Sequence, residues 1–238
     1  MVTNNGPRRV VITGLGALSP IGNSAEDTWQ AIIQGKSGAG AITRFDATSL
    51  PVQIACEIRD LCLADHFSRK EINRFDRITL YALLVAREAW RESGLDSYTD
   101  LDAPRAGVIW ASGNGGIESL EEAYVGSLKH GNRYSPYLIP RTLIDTPSGM
   151  LALQYGLQGI NYSPVSACAS SSTAFMDAYN YIKWNKADII LSGGSDAPIT
   201  HINIGGFGAM KALSTKNSEP SSASRPMDSN RDGFVMGE

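Results

Sequence analysis

The stretch Val165-Ser166-Ala167-Cys168-Ala169-Ser170-Ser171-Ser172-Thr173 decides the fold, because it joins a predicted strand to a predicted helix. Residues 160–165 resemble a short strand, and residues 169–184 have helical spacing, with an apolar stripe of Ala174, Phe175, Ala178 and Ile182. Cys168 therefore lies at a helix N-terminus, where unpaired N–H groups and the helix dipole favour a thiolate. Its small neighbours would admit a substrate carbonyl to the sulfur, as a covalent thioester nucleophile requires.

A second interpretation of Cys168 stays open at this point. A lone cysteine among apolar residues is more often a small buried hydrophobe than a nucleophile. The chain has three cysteines, Cys56, Cys62 and Cys168, without a C-x-x-C spacing or a neighbouring Cys/His pair. We therefore expect no zinc site and no other metal site. This cysteine usage fits the reducing cytoplasm, which is the expected location.

Composition excludes several classes of protein. The 238 residues are 42% hydrophobic and 19% charged, which is typical of a globular chain with a real core. A net charge of −3 gives no sign of a nucleic-acid or membrane-surface partner. No apolar run approaches the roughly 18 residues of a membrane span. Residues 1–7 are too short and polar for a signal peptide.

The order of predicted elements indicates an α/β fold. We expect a buried strand over 8–14, a helix that starts at Ser24 and stops at Gly35, and an amphipathic helix over 76–93. Further strands are predicted over 106–111 and 187–192, and a helix over 142–155 that Pro147 either starts or kinks. Strands that alternate with helices favour a largely parallel sheet. The glycines at 14, 16 and 22 do not have the G-x-G-x-x-G spacing, so no nucleotide site is expected.

Four segments together resemble the N-terminal half of an elongating β-ketoacyl-acyl-carrier-protein synthase, a condensing enzyme of the thiolase superfamily. The resemblance runs from residue 8 to the end, in the family's order, over residues 9–22, 165–171, 205–214 and 224–238. It implies a thiolase-like α/β fold, with residues 1–238 as the first of two pseudo-repeated halves of a five-layered α-β-α-β-α architecture. The C-terminal half is absent from this chain.

The resemblance also implies an activity and a site. Cys168 matches the family's nucleophile, which takes an acyl group from a carrier-protein thioester, and its backbone N–H matches one of two oxyanion donors. A malonyl thioester is then decarboxylated, and its carbanion attacks the acyl-cysteine. No cofactor is implied, since the phosphopantetheine arm of acyl carrier protein carries the substrates. The pathway is that of fatty acids, polyketides or polyenes.

Five other residues take roles from the resemblance, each with a plain structural alternative. Phe207 falls where the family lines its acyl pocket, although it could equally pack in the core. Asn114 lies where long-chain enzymes often carry an aliphatic residue, which points to an altered acyl specificity, or it is simply a turn residue. Arg69, Lys70 and Lys211 match basic positions that dock the acidic carrier protein, or are ordinary surface charges.

The chain departs from the family pattern in one respect. The family's two histidines, its lysine and its second oxyanion donor come from the second half, and His66, His130 and His201 lie outside those motifs. We therefore expect surface or loop positions for the three histidines. We also expect a large apolar surface, a complementary C-terminal half as partner, and a homo- or heterodimer. The competing hypothesis is a non-catalytic scaffold or regulatory subunit that binds carrier protein or a ketosynthase paralogue.

Overall fold

A computed structural model describes residues 8–131 and 133–238. In this part of the chain the helices are α1 Ala25–Ile33, α2 Arg69–Arg74, α3 Arg77–Glu92, α4 Ile117–His130, α5 Leu138–Thr142, α6 Thr146–Tyr155, α7 Ser170–Lys183, α8 His201–Ala209 and α9 Pro220–Ala223. The strands are β1 Gly40–Ala41, β2 Ile54–Ala55, β3 Ala106–Ala111, β4 Asn161–Tyr162 and β5 Ile189–Gly194. No helix in these residues is both long and apolar enough to cross a membrane.

The chain divides into two units. The first contains the residues up to Gly16, then Phe75–Gly115 and Ile139–Asp196; the second contains Ala17–Arg74, Gly116–Leu138 and Ala197–Glu238. The first unit is built on a parallel sheet of order β4-β3-β5. The second contains the antiparallel pair β1-β2. The expected α/β class with a parallel sheet is confirmed.

Strand β3 is the centre of the first unit. All six of its residues are buried, so both faces of the strand are covered. Ile109 and Ala111 pack against Ala174 and Ala178 of α7, while α6 also contacts β3 and α3 packs on α6. The predicted apolar stripe of α7 is only half correct, because Phe175 is exposed. Helix packing therefore holds the start of α7 against the sheet.

The second unit has its own core. Buried residues of β2 and α8 meet the last segment of the chain in a cluster whose members are Val52, Ile54, Ala55, Ile199, Ile204, Leu213, Ala223 and Met236. Two isolated parallel β-bridges join the backbone of Cys56 to that of Gly237 and the backbone of Leu213 to that of Phe234. The residues near 238 are thus tied to β2 and to the segment after α8.

Most predicted helices are confirmed, with shifted bounds. Ser24 caps α1 by accepting a hydrogen bond from the Asp27 N–H, and Asp76 caps α3 through the Ile78 N–H. The helix predicted over 142–155 starts at Thr146, with Pro147 in its first turn. The strand predicted over 160–165 is limited to the two residues of β4.

The buried strand predicted over 8–14 is wrong. No strand forms there, and Val11 and Ile12 are 56% and 82% exposed. A strand needs a ladder partner, and within the described residues this segment has only the Arg8 N–H bond to the Lys183 carbonyl at 3.0 Å as a backbone tie. The segment is held instead by contacts of Gly14 and Gly16 with α3. A β-branched composition cannot show whether a partner strand exists.

Asp188 ties the segments before β3 and β5 together. Its carboxylate accepts hydrogen bonds from Arg105 at 2.6 and 2.9 Å and from Arg8, and these bonds hold its pKa well below the ordinary value. A carboxylate whose pKa is lowered on folding stabilises the protein above its unfolded pKa of about 3.9. That stabilisation is lost as the pH falls through the folded pKa.

Replacing Asp188 by asparagine is expected to lower the free energy of unfolding at pH 7, because the ion pairs with Arg8 and Arg105 are lost. The loss should be only about 1 kcal/mol, because these ion pairs are partly exposed and screened by solvent. The difference from the parent should fade below about pH 4. Thermal unfolding at pH 7, 5 and 3 measures it, with the exposed Asp100 as the matched control in Asp100→Asn. An equal loss at every pH would contradict the assignment.

Candidate active site

Cys168 lies on a turn between β4 and α7. A short 3₁₀ turn, Ala167–Ala169, leads directly into α7 at Ser170, and the Ala169 N–H donates to the Ser166 carbonyl at 3.1 Å. Cys168 itself is exposed. The predicted passage from strand to helix is confirmed, whereas the buried position that a structural cysteine would take is not found.

The backbone before Cys168 is strained. Ala167 has φ = +53°, a left-handed conformation that normally favours glycine and costs a residue with a side chain about 1–3 kcal/mol. The Ser170 hydroxyl braces this turn, since it accepts from the Ser166 N–H at 2.9 Å and donates to the Ala167 carbonyl at 2.6 Å. Ser166 and Thr173 add a hydroxyl pair at 2.7 Å. The run of hydroxyl residues therefore has a structural purpose.

The turn after β3 is organised by Asp196. Its carboxylate accepts from the Ser112 hydroxyl at 2.8 Å, from the Gly113 N–H at 3.0 Å and from the Asn114 N–H at 3.0 Å. The Gly115 N–H completes the turn by donating to the Ser112 hydroxyl at 2.9 Å. Bonds to an ionised acceptor are among the stronger ones, so this carboxylate fixes the turn.

Sequence reasoning missed Asp196. The signal that could have found it is its place two residues after β5, since the carboxyl ends of neighbouring parallel strands lie at one edge of a sheet. A carboxylate there can reach the N–H groups of the glycine-rich turn that follows β3. Its role is visible only once β3 and β5 are known to be neighbours.

Glycines allow the turn after β3 and the start of α7 to approach each other. A β-carbon added at Gly113 would lie 3.3 Å from the Ala167 carbonyl oxygen. A β-carbon at Gly194 would lie 2.1 Å from the Ser171 hydroxyl oxygen. The ends of β3 and β5 therefore meet the turn that carries Cys168. This arrangement places Asn114, whose side chain is exposed, on the turn adjoining the cysteine turn.

The Cys168 backbone N–H has no hydrogen-bond acceptor in the part of the chain that the structure describes. An exposed sulfur and a free N–H on the same residue can act together on a carbonyl carbon. The sulfur can attack the carbon, and the N–H can stabilise the oxygen as it becomes negative.

The other predicted site residues lie in the second unit. Phe207 of α8 packs against the apolar cluster of that unit and makes an edge-to-face contact with Phe234, at 5.8 Å between ring centroids. Arg69 and Lys70 are exposed in the first turn of α2. Lys211 is exposed just after α8 with φ = +56°. The packing of Phe207 fits the structural alternative, and its proposed pocket role stays a prediction.

The three histidines are exposed, as expected. His66 follows a short 3₁₀ turn, His130 ends α4, and His201 begins α8 with its ring edge-to-face to Phe45 at 5.6 Å. The N-terminus of α8 is already capped, because the Glu121 carboxylate accepts from the His201 and Ile202 N–H groups at 3.3 and 2.8 Å. None of the three histidines belongs to the first unit, which carries Cys168.

Comparison with known proteins identifies relatives over nearly the whole chain. The family model described as "Beta-ketoacyl synthase, N-terminal domain" matches residues 7–238. The 3-oxoacyl-[acyl-carrier-protein] synthase 2 of Coxiella burnetii is 47% identical over 232 residues, which are 97% of this chain and 56% of the relative. The chain therefore spans about half the length of this curated relative.

Solved structures give the same result. The crystal structure of a beta-ketoacyl synthase from Burkholderia phymatum STM815 matches with a TM-score of 0.83 and 27% identity, over 96% of this chain and 56% of that one. The AntDE:AntF structure, a type II PKS acyl-carrier protein in complex with its ketosynthase bound to the hexaketide, matches with a TM-score of 0.80 and 26% identity, over 97% and 56%. The thiolase-like fold expected from the resemblance is confirmed. The chain belongs to the β-ketoacyl synthase family and carries the family's N-terminal domain.

Proposed function

We propose that this chain is the nucleophile-bearing half of a 3-oxoacyl-[acyl-carrier-protein] synthase, an acyltransferase that extends an acyl chain by decarboxylative condensation. The observation that carries the proposal is the turn at Cys168, where an exposed thiol and an unpaired backbone N–H occur on one residue. The name of the Coxiella relative supports the reaction class. The scaffold hypothesis does not account for a braced, strained turn that presents a thiol.

The proposed reaction has two stages. In the first, the Cys168 thiolate attacks the carbonyl carbon of an acyl thioester, and the oxygen takes up negative charge beside the Cys168 N–H. The C–S bond to the carrier arm breaks, its thiolate takes up a proton, and an acyl-cysteine remains. In the second, a malonyl thioester loses CO₂, and the resulting carbanion attacks the acyl-cysteine. The Cys168 thiolate then leaves, and the product is a β-ketoacyl thioester.

We propose further that a complementary C-terminal half completes the site, either in the same polypeptide or in a partner, within a homo- or heterodimer. The exposed apolar side chains of α7 support this, since Phe175, Met176 and Tyr179 are 56%, 56% and 46% exposed. Apolar surface of this kind usually marks an interface. The general acid and base must also come from elsewhere, because the exposed histidines lie outside the family's histidine motifs. The three free cysteines fit the reducing cytoplasm as the location.

The substrate carrier is proposed to be acyl carrier protein, docked by Arg69, Lys70 and Lys211. All three side chains are exposed on the second unit, and an acidic partner would be attracted to them and would associate faster.

Reversing the three charges to glutamate is expected to raise the KM for carrier protein at least about tenfold, since each lost attraction becomes a repulsion. The kcat should stay within about twofold. An unchanged KM would show that these are ordinary surface charges.

Asn114 is proposed to shift the acyl preference toward a shorter, unsaturated or polar-tipped chain. The exposed amide is on the turn beside Cys168, where a long alkyl chain would remove water from it at a cost in binding free energy.

Asn114→Ile is expected to favour long saturated acyl chains by about tenfold when acyl substrates of different length compete directly. The substitution keeps the backbone N–H bond of residue 114 to Asp196, so the turn should fold as in the parent. An unchanged chain-length profile would leave Asn114 a turn residue.

The experiment that tests the function begins with native mass spectrometry of the protein purified from its own source. A single longer polypeptide, or a second chain of similar mass with the missing histidines, is expected. The complete synthase should then convert an acyl-carrier protein and malonyl-carrier protein to a β-ketoacyl product with release of CO₂. A lone 25.5 kDa chain or its homodimer, without turnover, would support the scaffold hypothesis instead.

A further inference from the structure

Ser170 is a buried polar side chain two residues after Cys168. It is 3% exposed at the start of α7, and its hydroxyl both accepts from the Ser166 N–H and donates to the Ala167 carbonyl. These two bonds lie on either side of Ala167, the residue with φ = +53°. A buried hydroxyl with both functions engaged holds the backbone in one arrangement.

The bond to the Ala167 carbonyl has a consequence for Cys168. The Ala167 C=O and the Cys168 N–H belong to the same peptide group, which is rigid and planar, and no cis peptide bond occurs in the described residues. In a trans peptide these two groups point in opposite directions. A hydroxyl that fixes the carbonyl oxygen therefore also fixes the direction of the Cys168 N–H.

The same carbonyl oxygen is constrained from a second side. A β-carbon at Gly113 would lie 3.3 Å from it, so the turn after β3 packs closely against this oxygen. The Ser170 backbone N–H also donates to this oxygen, so the hydroxyl is the second of two donors from the same residue. Without the hydroxyl only that backbone bond would remain, and the strained Ala167 could relax by rotating the peptide between residues 167 and 168. Such a rotation would turn the N–H away from its present direction while the sulfur stayed accessible.

We propose that Ser170 is a positioning residue for acyl transfer, because its hydroxyl aims the Cys168 N–H at the thioester oxygen that becomes negative. The inference rests on the proposed function, and it adds a residue that acts through the backbone without touching the substrate. Ser170 thereby supports the transition state for thioester attack. It has no part in a reaction of the thiol that forms no oxyanion.

Two rates on the same cysteine test this in the complete synthase. One is acylation of Cys168 by an acyl-carrier-protein thioester, which develops an oxyanion; the other is alkylation of Cys168 by iodoacetamide, which develops none. Ser170→Ala is expected to lower acylation by about 10- to 100-fold, since removal of an oxyanion donor costs about 10²–10³. Alkylation should stay within about twofold. Ser172→Ala, an exposed serine of the same helix turn, should match the parent in both rates.

An isosteric pair makes the test independent of packing. Ser170→Thr keeps the hydroxyl and Ser170→Val replaces it by a methyl group of the same shape, so the threonine variant should acylate at least about tenfold faster. Equal acylation by this pair, or a parallel fall of acylation and alkylation, would overturn the proposal and leave Ser170 a folding residue. A parent synthase whose Cys168 accepts no acyl group would instead overturn the proposed function itself.

Discussion

Replacing Cys168 by alanine is expected to lower acyl transfer by the complete synthase at least about 10³-fold, which corresponds to about 4 kcal/mol of transition-state stabilisation. Without the sulfur no acyl-cysteine can form. Because the side chain is exposed, the free energy of unfolding should change by less than about 0.5 kcal/mol. Steady-state turnover with saturating carrier-protein substrates measures the loss.

Cys62 provides the matched control for this substitution. It is also an exposed free cysteine, but it lies before a short 3₁₀ turn and the residue directly before it, Leu61, has no left-handed backbone. Cys62→Ala should retain turnover within about twofold. Substantial turnover by Cys168→Ala would mean that the reaction does not pass through an acyl-cysteine, and equal losses in the two variants would deny Cys168 a special role.

The second large effect is expected at Gly16, on stability rather than activity. A β-carbon there would lie 2.0 Å from the Val85 carbonyl oxygen of α3, and one at Gly14 would lie 2.1 Å from that of Ala89. The three atoms nearest to a β-carbon at Gly16 are all backbone atoms of α3, so no flexible side chain can move aside. Gly16→Ala should therefore lower the free energy of unfolding by about 2–4 kcal/mol, as the segment is forced off α3. Denaturant unfolding followed by circular dichroism measures the change.

Replacing Gly149 by alanine should change the free energy of unfolding in the opposite direction. Gly149 lies within α6, and a β-carbon added there meets nothing within 4 Å. Alanine loses less backbone entropy than glycine on entering a helix, so Gly149→Ala should raise the free energy of unfolding by about 0.5–1 kcal/mol. If Gly16→Ala did not lower the free energy of unfolding, the close approach of residues 14–16 to α3 would not exist in solution.

Local periodicity predicted the elements whose apolar residues are buried in a regular pattern. The helices around Tyr81 and Ala174 and the strand through Ile109 could be predicted because burial imposes a regular apolar pattern. The segment 8–14 could not, since Val10, Val11 and Ile12 have strand-like composition whether or not a partner strand is present. The contact of Gly14 and Gly16 with α3 could be recognised only from the fold.

The sequence predicted the place of Cys168 in the fold, but it did not predict the hydrogen bonds that arrange the turns around this residue. The position of Cys168 at a strand-to-helix passage followed from small residues between two apolar patterns. The roles of Asp196 and Ser170 did not, because each depends on atoms that the fold brings together, namely the turn after β3 and the carbonyl of Ala167. The strand order β4-β3-β5 is the missing information in the first case, and the left-handed turn at Ala167 in the second.

Intact-mass analysis of the complete synthase after incubation with an acyl-carrier protein alone shows whether Cys168 becomes acylated. We expect one acyl group per chain, located by peptide mapping on Cys168 and absent from Cys56 and Cys62. Addition of malonyl-carrier protein should then discharge the acyl group as a β-ketoacyl product. An unmodified Cys168, or an acyl group found on another residue, would rule out Cys168 as the nucleophile.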